Sequence, residues 1–377
     1  MKRLFYSLVS LLLLSTMLLA ACAAPQAPAP APAPTPSPAP APTPAPAPTG
    51  GMTAAEQQLY EAAKKEGELL IWTNTWEHGI IEKLFMQKYP GIKATAWDAP
   101  TGAAAIARLM EEQKAGIKSA DVLFTTTQDM PLLMEAGLAK PYDWPNAVGM
   151  SPQPAHKLYF IHTATARAPV YNNKLVTAAE APKKWEDLMS ARWRGKSMLS
   201  TSGEGATLLF AYMWRDGDKL DWDRAVKFWK DVRTATQPRV ERGFTAPRVA
   251  LVAGEYDIFL LSSLGGTIRL IRQGAPVTIA PIGDAPASTW SLAIMKYAAH
   301  PAATQLFADF FSRPEIMAVF ADMMGETSMS SEARKISRTG KEYAAMGLQV
   351  VPIPAEVETD ANSTKSVQLW QDITRLR

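Results

Sequence analysis

Four times in this chain a short apolar run ends in a polar turn and then opens a helical pattern. Leu69 to Trp72 runs into Thr73 and Asn74, Ile92 to Trp97 leads to Thr101 and Gly102, and Ala120 to Phe124 gives way to Thr125, Thr126 and Thr127. Met198 and Leu199 end in Ser200, Thr201, Ser202, Gly203, Glu204 and Gly205, after which Leu209, Tyr212 and Met213 share a helical face. Strands that alternate with helices imply parallel pairing with helices on both faces, an α/β class. In open sheets of this kind ligands sit beyond the carboxyl ends of the strands. The first amides of a helix lack internal partners, and the macrodipole makes that end positive. Glycines let a ligand approach the backbone, so such a turn can hold a carboxylate or phosphate. Taken alone, Thr201 or Ser202 is as readily a helix cap. Four coincident polar strand ends favour a binding cleft. No Gly-Lys-Ser/Thr follows the fourth turn, so it is not a P-loop.

The beginning of the chain points to export. Met1-Lys2-Arg3 is positive, Leu4 to Leu19 is apolar but short for a spanning helix, and Leu19-Ala20-Ala21-Cys22 resembles the bacterial lipoprotein box. Residues 1–21 are therefore expected to be a signal peptide and Cys22, the single cysteine, a lipidated N-terminus on a membrane facing the periplasm or extracellular space. One cysteine forms no internal disulfide. Residues 22–52 are then a linker, almost wholly Ala and Pro from Ala23 to Gly50. Proline fixes φ and removes donors, so this stretch packs no core and should extend like polyproline II. At about 3.1 Å per residue it reaches on the order of 80 Å.

The remainder, from Thr53 to Arg377, is long enough for two lobes. With 39 basic and 36 acidic residues and no basic block, nothing argues for nucleic acid. Thr53 to Glu66 is a strong helix: Thr53 caps it, Glu56 is expected to complete a capping box, and Gly67 stops it.

Further segments carry a family resemblance. They include Lys65-Glu66-Gly67-Glu68-Leu69-Leu70-Ile71-Trp72, Phe85-Met86-Gln87-Lys88-Tyr89-Pro90-Gly91-Ile92, Ala120-Asp121-Val122-Leu123 and Glu135-Ala136-Gly137-Leu138. Val170-Tyr171-Asn172-Asn173-Lys174, Ala181-Pro182-Lys183-Lys184-Trp185, Val252-Ala253-Gly254-Glu255-Tyr256-Asp257 and Phe311-Ser312-Arg313-Pro314-Glu315 follow in order. In this order the chain resembles the extracellular solute-binding proteins of bacterial ABC importers, in the branch with ferric-iron, thiamine, polyamine and phosphonate binders. The resemblance implies a type II, two-lobed periplasmic-binding-protein-like fold, each lobe a mostly parallel sheet flanked by helices, with the ligand cleft between them. Lobe 1 would hold residues 53–167 plus 290–345 and lobe 2 residues 168–289, with 346–377 packing on either lobe. It implies ligand contacts at Thr73, Asn74, Thr101, Gly102, Thr126 and Thr127 on one lobe and at Ser200, Thr201, Ser202, Gly203, Gly205, Thr245, Ser262 and Ser263 on the other. Trp290 would lie close to the hinge, and Trp76 beside the first turn.

The resemblance also implies partners: a small-molecule solute, an ABC permease, a lipid anchor, no nucleic acid, and a monomer that works by hinge closure. One departure matters. Iron-binding relatives carry adjacent tyrosines after the strand that is here Asp257 to Leu261, but this chain has Ser262-Ser263-Leu264-Gly265-Gly266. Phenolates suit a hard ferric ion, so direct ferric binding of the usual kind is not expected. The histidines His78, His156, His162 and His300 form no metal-ligand spacing, so no metal and no cofactor is assigned.

The favoured solute is small, organic, and anionic or polar, since Arg167, Arg242 and Arg248 lie near the turns in sequence. A ferric complex is one alternative. A cationic amine or polyamine is another: Trp76 and Trp97 with Glu77, Asp98, Asp129 and Glu204 could hold it by cation–π attraction. The sequence has no Gly-x-Ser-x-Gly elbow, no His-Glu-x-x-His and no cysteine beyond the lipid site, so it is not expected to be an enzyme.

Overall fold

The computed structural model describes residues 51–74, 79–150, 157–202 and 205–375. The signal peptide, Cys22, most of the linker, Trp76 and Gly203 lie outside the described residues.

Helix α1 (Ala54–Glu66) opens the described chain, with Thr53 Oγ1 accepting from Glu56 N at 3.1 Å and Gly67 ending it at φ 75°. The other half of the expected capping box is absent. Glu56 instead accepts from the Tyr89 hydroxyl at 2.5 Å and pairs with Arg313 at 2.8 Å, because its carboxylate is more useful tying α1 to the body than capping its own helix. Next come β1 (Glu68–Thr73), α2 (Gly79–Lys88), β2 (Lys93–Asp98), α3 (Gly102–Lys114), β3 (Val122–Thr126) and the short α4 (Met130–Glu135). β1 pairs in parallel with β2 and with β3, so the first three strands end side by side, Thr73 opposite both Asp98 and Phe124. This is the alternation that the polar turns imply.

The long strand β4 (Phe160–Asn172) then leaves this half. Beyond it lie β5 (Ser197–Ser200), α5 (Ala206–Met213), α6 (Trp222–Thr236), β6 (Arg239–Glu241), α7 (Thr245–Ala253), β7 (Ile258–Ser263), α8 (Leu264–Arg272) and β8 (Val277–Ile279). β5 pairs in parallel with β6 and with β7. The second long strand, β9 (Asp284–Ile294), returns antiparallel to β4 and β3. It is followed by α9 (Pro301–Phe311), α10 (Pro314–Met324), β10 (Thr327–Ser328), α11 (Ser331–Ile336), α12 (Arg338–Ala345), β11 (Gln349–Pro352) and α13 (Asp360–Thr374). The strand order is β2-β1-β3-β9-β4-β7-β5-β6. β4 pairs with β9 as far as Ala166, opposite Ala287, and with β7 from Arg167, opposite Ser263. The fold is thus α/β and two-lobed, each half a mixed sheet with three neighbouring parallel strands joined antiparallel to the long strands, and β4 passes from one half to the other.

Aromatic packing anchors each half. Phe124, Phe307, Phe310, Phe311 and Phe320 are all buried in one core, and Trp185, Phe210, Trp229 and Trp370 in another. The last helix joins the second set, with the Trp370 ring 5.3 Å from Trp229. It begins at Asp360, because Thr359 accepts from Asn362 N and caps it.

One polar ring sits inside the first core. His162 is 2% exposed, and its ring lies 5.2 Å from Phe311, 5.2 Å from Phe320 and 5.5 Å from Phe124. Burial pushes its pKa from the ordinary 6.5 down to about 3. A depressed pKa favours the neutral ring in the fold, so its contribution is fully present above 6.5 and lost as pH falls from there towards 3. One such group tilts stability by at most about 1.4 kcal/mol per pH unit. His162→Phe, which keeps a ring among rings, is expected to flatten the fall of thermal midpoint with pH between about pH 6 and about pH 4. A variant that loses stability in acid as steeply as the wild type would show that this ring does not contribute.

Candidate functional site

The turns of the first half are tied to one another. Thr73 is buried at the end of β1, and its carbonyl accepts from Ala99 N at 2.6 Å. Asn74 follows, half-buried, with a buried Oδ1 that has no hydrogen-bond partner. Thr101 caps α3, its Oγ1 accepting from Ala104 N at 3.1 Å. Gly102 faces the next turn so closely that a Cβ there would lie 1.9 Å from Thr125 Oγ1 and 2.1 Å from Asp129 Oδ2. Those two side chains are joined, because Thr125 and Thr126 both donate to Asp129 Oδ2, at 2.5 and 2.7 Å. Thr127 is buried, 2.8 Å from the Ser291 hydroxyl and accepting from Thr289 at 2.7 Å. Sequence alone offers these hydroxyls to a ligand. The structure engages those of Thr101, Thr126 and Thr127 within this half.

The turns of the second half are stitched in the same way. Ser200 Oγ donates to Gly243 O at 2.7 Å and accepts from Ser202 N at 3.0 Å, while Ser202 Oγ accepts from Gly243 N at 3.0 Å. Thr201 N donates to Glu241 O at 2.8 Å. Gly205 precedes α5 and is exposed. This brings the turn after β5 against the turn after β6, where Thr245 opens α7 and is exposed. Ser262 is buried, its hydroxyl 3.1 Å from that of Thr267. Neither α7, at Phe244, nor α8, at Ser263, has a side-chain cap.

Two guanidinium groups converge beside these helix starts. Arg167 stands where β4 changes partner, opposite Ser263, with its Cζ 4.6 Å from the centre of the Phe244 ring. Its Nη1 is buried and has no hydrogen-bond partner. Arg248, from α7, donates from Nη1 to Ser263 O at 3.3 Å. It fits because residue 266 is glycine: a Cβ there would lie 1.8 Å from that Nη1. Burial lowers the pKa of each guanidinium to about 10. Glu326 partly offsets this for Arg167, and Arg248 adds repulsion. Both therefore remain cations at neutral pH.

Glu326 is 4% exposed and accepts from Thr163 Oγ1 at 3.0 Å and from Thr165 Oγ1. Thr165 also accepts from Trp290 Nε1 at 2.9 Å, so the expected hinge tryptophan is linked through Thr165 to Glu326, beside Arg167. Glu326 and Phe244 carry no sequence signal of this role. Proximity in sequence does point to Arg167 and Arg248.

Of the two tryptophans offered to an amine, Trp76 is outside the described residues, and Trp97, with Trp72, meets a cation of the protein itself. Arg108 Cζ lies 4.9 Å from the Trp72 ring centre and 4.6 Å from that of Trp97, and Glu112 pairs with it at 2.7 Å. Among the described residues no three His, Cys, Asp or Glu side chains form a group that could hold a metal ion. A cavity of about 730 Å³ beside Arg334 and Tyr343 and one of about 320 Å³ beside Tyr159 and Tyr212 lie elsewhere, lined by neither Arg167 nor Arg248 and by none of the serine turns.

A family model described as bacterial extracellular solute-binding protein matches residues 83–347. No curated protein matches the chain. Among solved structures, iron-bound HitA from Pseudomonas aeruginosa is similar at TM-score 0.65 and 17% identity, covering 82% of this chain and 99% of its own. The Trichodesmium protein IdiA (FutA), in complex with iron and citrate ligands, is similar at TM-score 0.64 and 20% identity, covering 81% and 99%. The spermidine/putrescine substrate-binding protein PotD from Streptococcus pneumoniae is similar at TM-score 0.61 and 14% identity, covering 82% and 99%. At these identities the likeness is one of fold.

The close approach at Gly102 has a direct consequence. Gly102→Ala must displace Thr125 or Asp129 and break their bond, and overpacking of this kind costs about 1–3 kcal/mol. Urea unfolding of the variant measures the loss; stability equal to the wild type would show that Asp129 swings aside without cost.

Proposed function

Because the chain belongs to the family of bacterial extracellular solute-binding proteins, we propose that it captures a small anionic organic solute between its two lobes and delivers it to an ABC permease. The observation that carries this reading is the Arg167 Nη1, a buried cationic donor with no hydrogen-bond partner at the place where β4 passes between lobes. An unmet buried donor costs about 1–3 kcal/mol, more when charged, and an oxyanion removes that cost. Arg248 supplies a second guanidinium, and the uncapped starts of α7 at Thr245 and of α8 at Ser262 and Ser263 add amide donors with a favourable dipole. Carboxylate or phosphate oxygens match this planar set of donors.

The first lobe would contribute Thr73, Asn74, Thr101, Gly102, Thr126 and Thr127, and the second the Ser200 to Gly205 turn, through backbone more than through the hydroxyls already in use. Lobes of 53–167 plus 290–345 and of 168–289 follow the partner switch of β4 at Ala166 and Arg167. A solute touching both lobes raises the population of the closed form, with Trp290 at the hinge. The protein would act as a monomer without a catalytic step. It would be exported, with Cys22 lipidated and residues 22–52 as the tether.

A cationic amine is disfavoured because Arg108 already occupies the Trp72 and Trp97 faces and the two site arginines repel it. A second reading has one observation behind it: the Trichodesmium relative is described with iron and citrate together. A ferric complex of an organic anion would present carboxylates to the arginines without needing the absent tyrosines.

Native mass spectrometry of the purified protein, followed by denaturing extraction, tests both readings. A retained organic anion supports the first, iron with an organic acid the second, and a retained polyamine removes both. Arg167→Gln is expected to weaken binding of the extracted anion by about ten- to a hundredfold in calorimetry, the worth of a charged hydrogen bond. Unchanged affinity would remove Arg167 from the site. Small-angle scattering is expected to show a smaller radius of gyration on saturation; no change would rule out closure.

A further inference from the structure

The segment after the family match forms a strap across the two halves. The match ends at residue 347, and β11 begins at Gln349, parallel to β9 with Pro352 opposite Ala287. Ile353 N donates to Ala287 O at 3.0 Å, and its side chain is buried against Leu208 and Leu209 of α5. From Asp360, α13 lies on α5 and α6. Ser366 Oγ is 2.6 Å from Thr207 Oγ1 and accepts from Leu208 N at 2.9 Å, near the start of α5. Trp370 Nε1 donates to Ser200 O at 3.0 Å. The strap therefore grips the turn after β5 from behind, with Ser366 and Trp370 both fully buried.

Between these two anchorages lies Glu358. It is 5% exposed, and its buried Oε2 has no hydrogen-bond partner. The charge that acts on it is the Asp129 carboxylate from the turn before α4, and Glu358 in turn acts, with Glu356 of the strap, on the Tyr159 phenol before β4. Asp129 is the carboxylate to which Thr125 and Thr126 donate, so the charge that acts on Glu358 belongs to the proposed binding-side turn of the first half. Burial first, and Asp129 second, raise the pKa of its carboxyl well above the ordinary 4.5.

We propose that residues 353–374 are a proton-gated strap: with its proton, Glu358 lets the strap sit between the Asp129 turn and α5, and loss of that proton unseats it. Unseated, the carboxyl titrates near 4.5; seated, it keeps its proton to higher pH. Seating is therefore fully favoured below 4.5 and loses free energy as pH rises through the raised value. Unseating releases the Leu208 amide and the Ser200 carbonyl, so the turn after β5 loosens with the strap. Any effect on solute capture rests on the binding role proposed for that turn; the strap itself does not.

Hydrogen exchange of the full chain, corrected for intrinsic rates, from about pH 5 to about pH 9, reads this directly. Protection of residues 206–209 and 360–374 is expected to fall by about tenfold or more in the wild type as pH rises, and to stay level in Glu358→Gln, which keeps the neutral shape. Asp129→Asn, which removes the facing charge, is expected to move the fall to lower pH. Arg167→Gln is expected to leave the profile unchanged while losing anion binding, so failure of the strap and failure of the solute assignment are read separately. A pH-independent wild type, a Glu358→Gln profile that still falls, or an unmoved midpoint in Asp129→Asn overturns the proposal.

Discussion

Strand β4 pairs with β9 for only half of its length. Through Ala166 it lies antiparallel to β9, and from Arg167 it lies antiparallel to β7. Once a strand changes partner the sheet cannot stay one layer: β1, β2 and β3 end on one side of the change and β5, β6 and β7 on the other. Because β9 runs back antiparallel to both β4 and β3, the carboxyl ends of the two parallel sets point at each other. The polar turns at those ends are thereby aimed across the change of partner without any turn having to be long. The change of partner is also where Arg167 stands, since residue 167 is the first that pairs with β7 and no longer with β9.

That position explains the electrostatics of the site. Arg167 lies against Phe244, which buries its plane, and beside Arg248, which repels it. Glu326 supplies compensating charge, but its oxygens are already taken by Thr163 and Thr165. A carboxylate satisfied by two hydroxyls offsets a guanidinium at a distance without closing its donors. The result is a cation whose charge the fold tolerates and whose hydrogen bonding it leaves incomplete, which suits the proposed anion site: complete pairing would leave nothing for a solute, and no compensation would cost several kcal/mol of fold stability.

The parts of this fold that sequence discloses are those fixed by local rules. The β-α-β-α-β start follows from apolar runs and breakers that lie within a few residues of one another, and Thr53 and Thr101 do cap the helices that they precede. What sequence hides is contact between distant segments. Glu56 looks like a capping residue until Tyr89 and Arg313 compete for it. Thr127 looks like a ligand contact until Thr289 and Ser291 arrive on β9 to bond with it. Trp97 looks like an amine site until Arg108 covers it. Arg167 and Arg248 are legible as nearby charge, but the unpaired Arg167 Nη1 is not, because Glu326 and Phe244 reach it from two other parts of the chain.

The same contacts limit what kind of selectivity the cleft can have. A hydroxyl at a strand end can either hold its own turn or contact a solute. Here Thr101, Ser200 and Ser202 hold turns, and Thr126 donates to Asp129. What is left over includes backbone amide at uncapped helix starts and the Arg167 Nη1, donors that favour negative charge, beside one acceptor, the Asn74 Oδ1. Such donors sort solutes by charge first. In the proposed closed form, discrimination among anions of the same charge would depend on the spacing between the two lobes, beside which Trp290, Thr165 and Glu326 form one hydrogen-bonded chain.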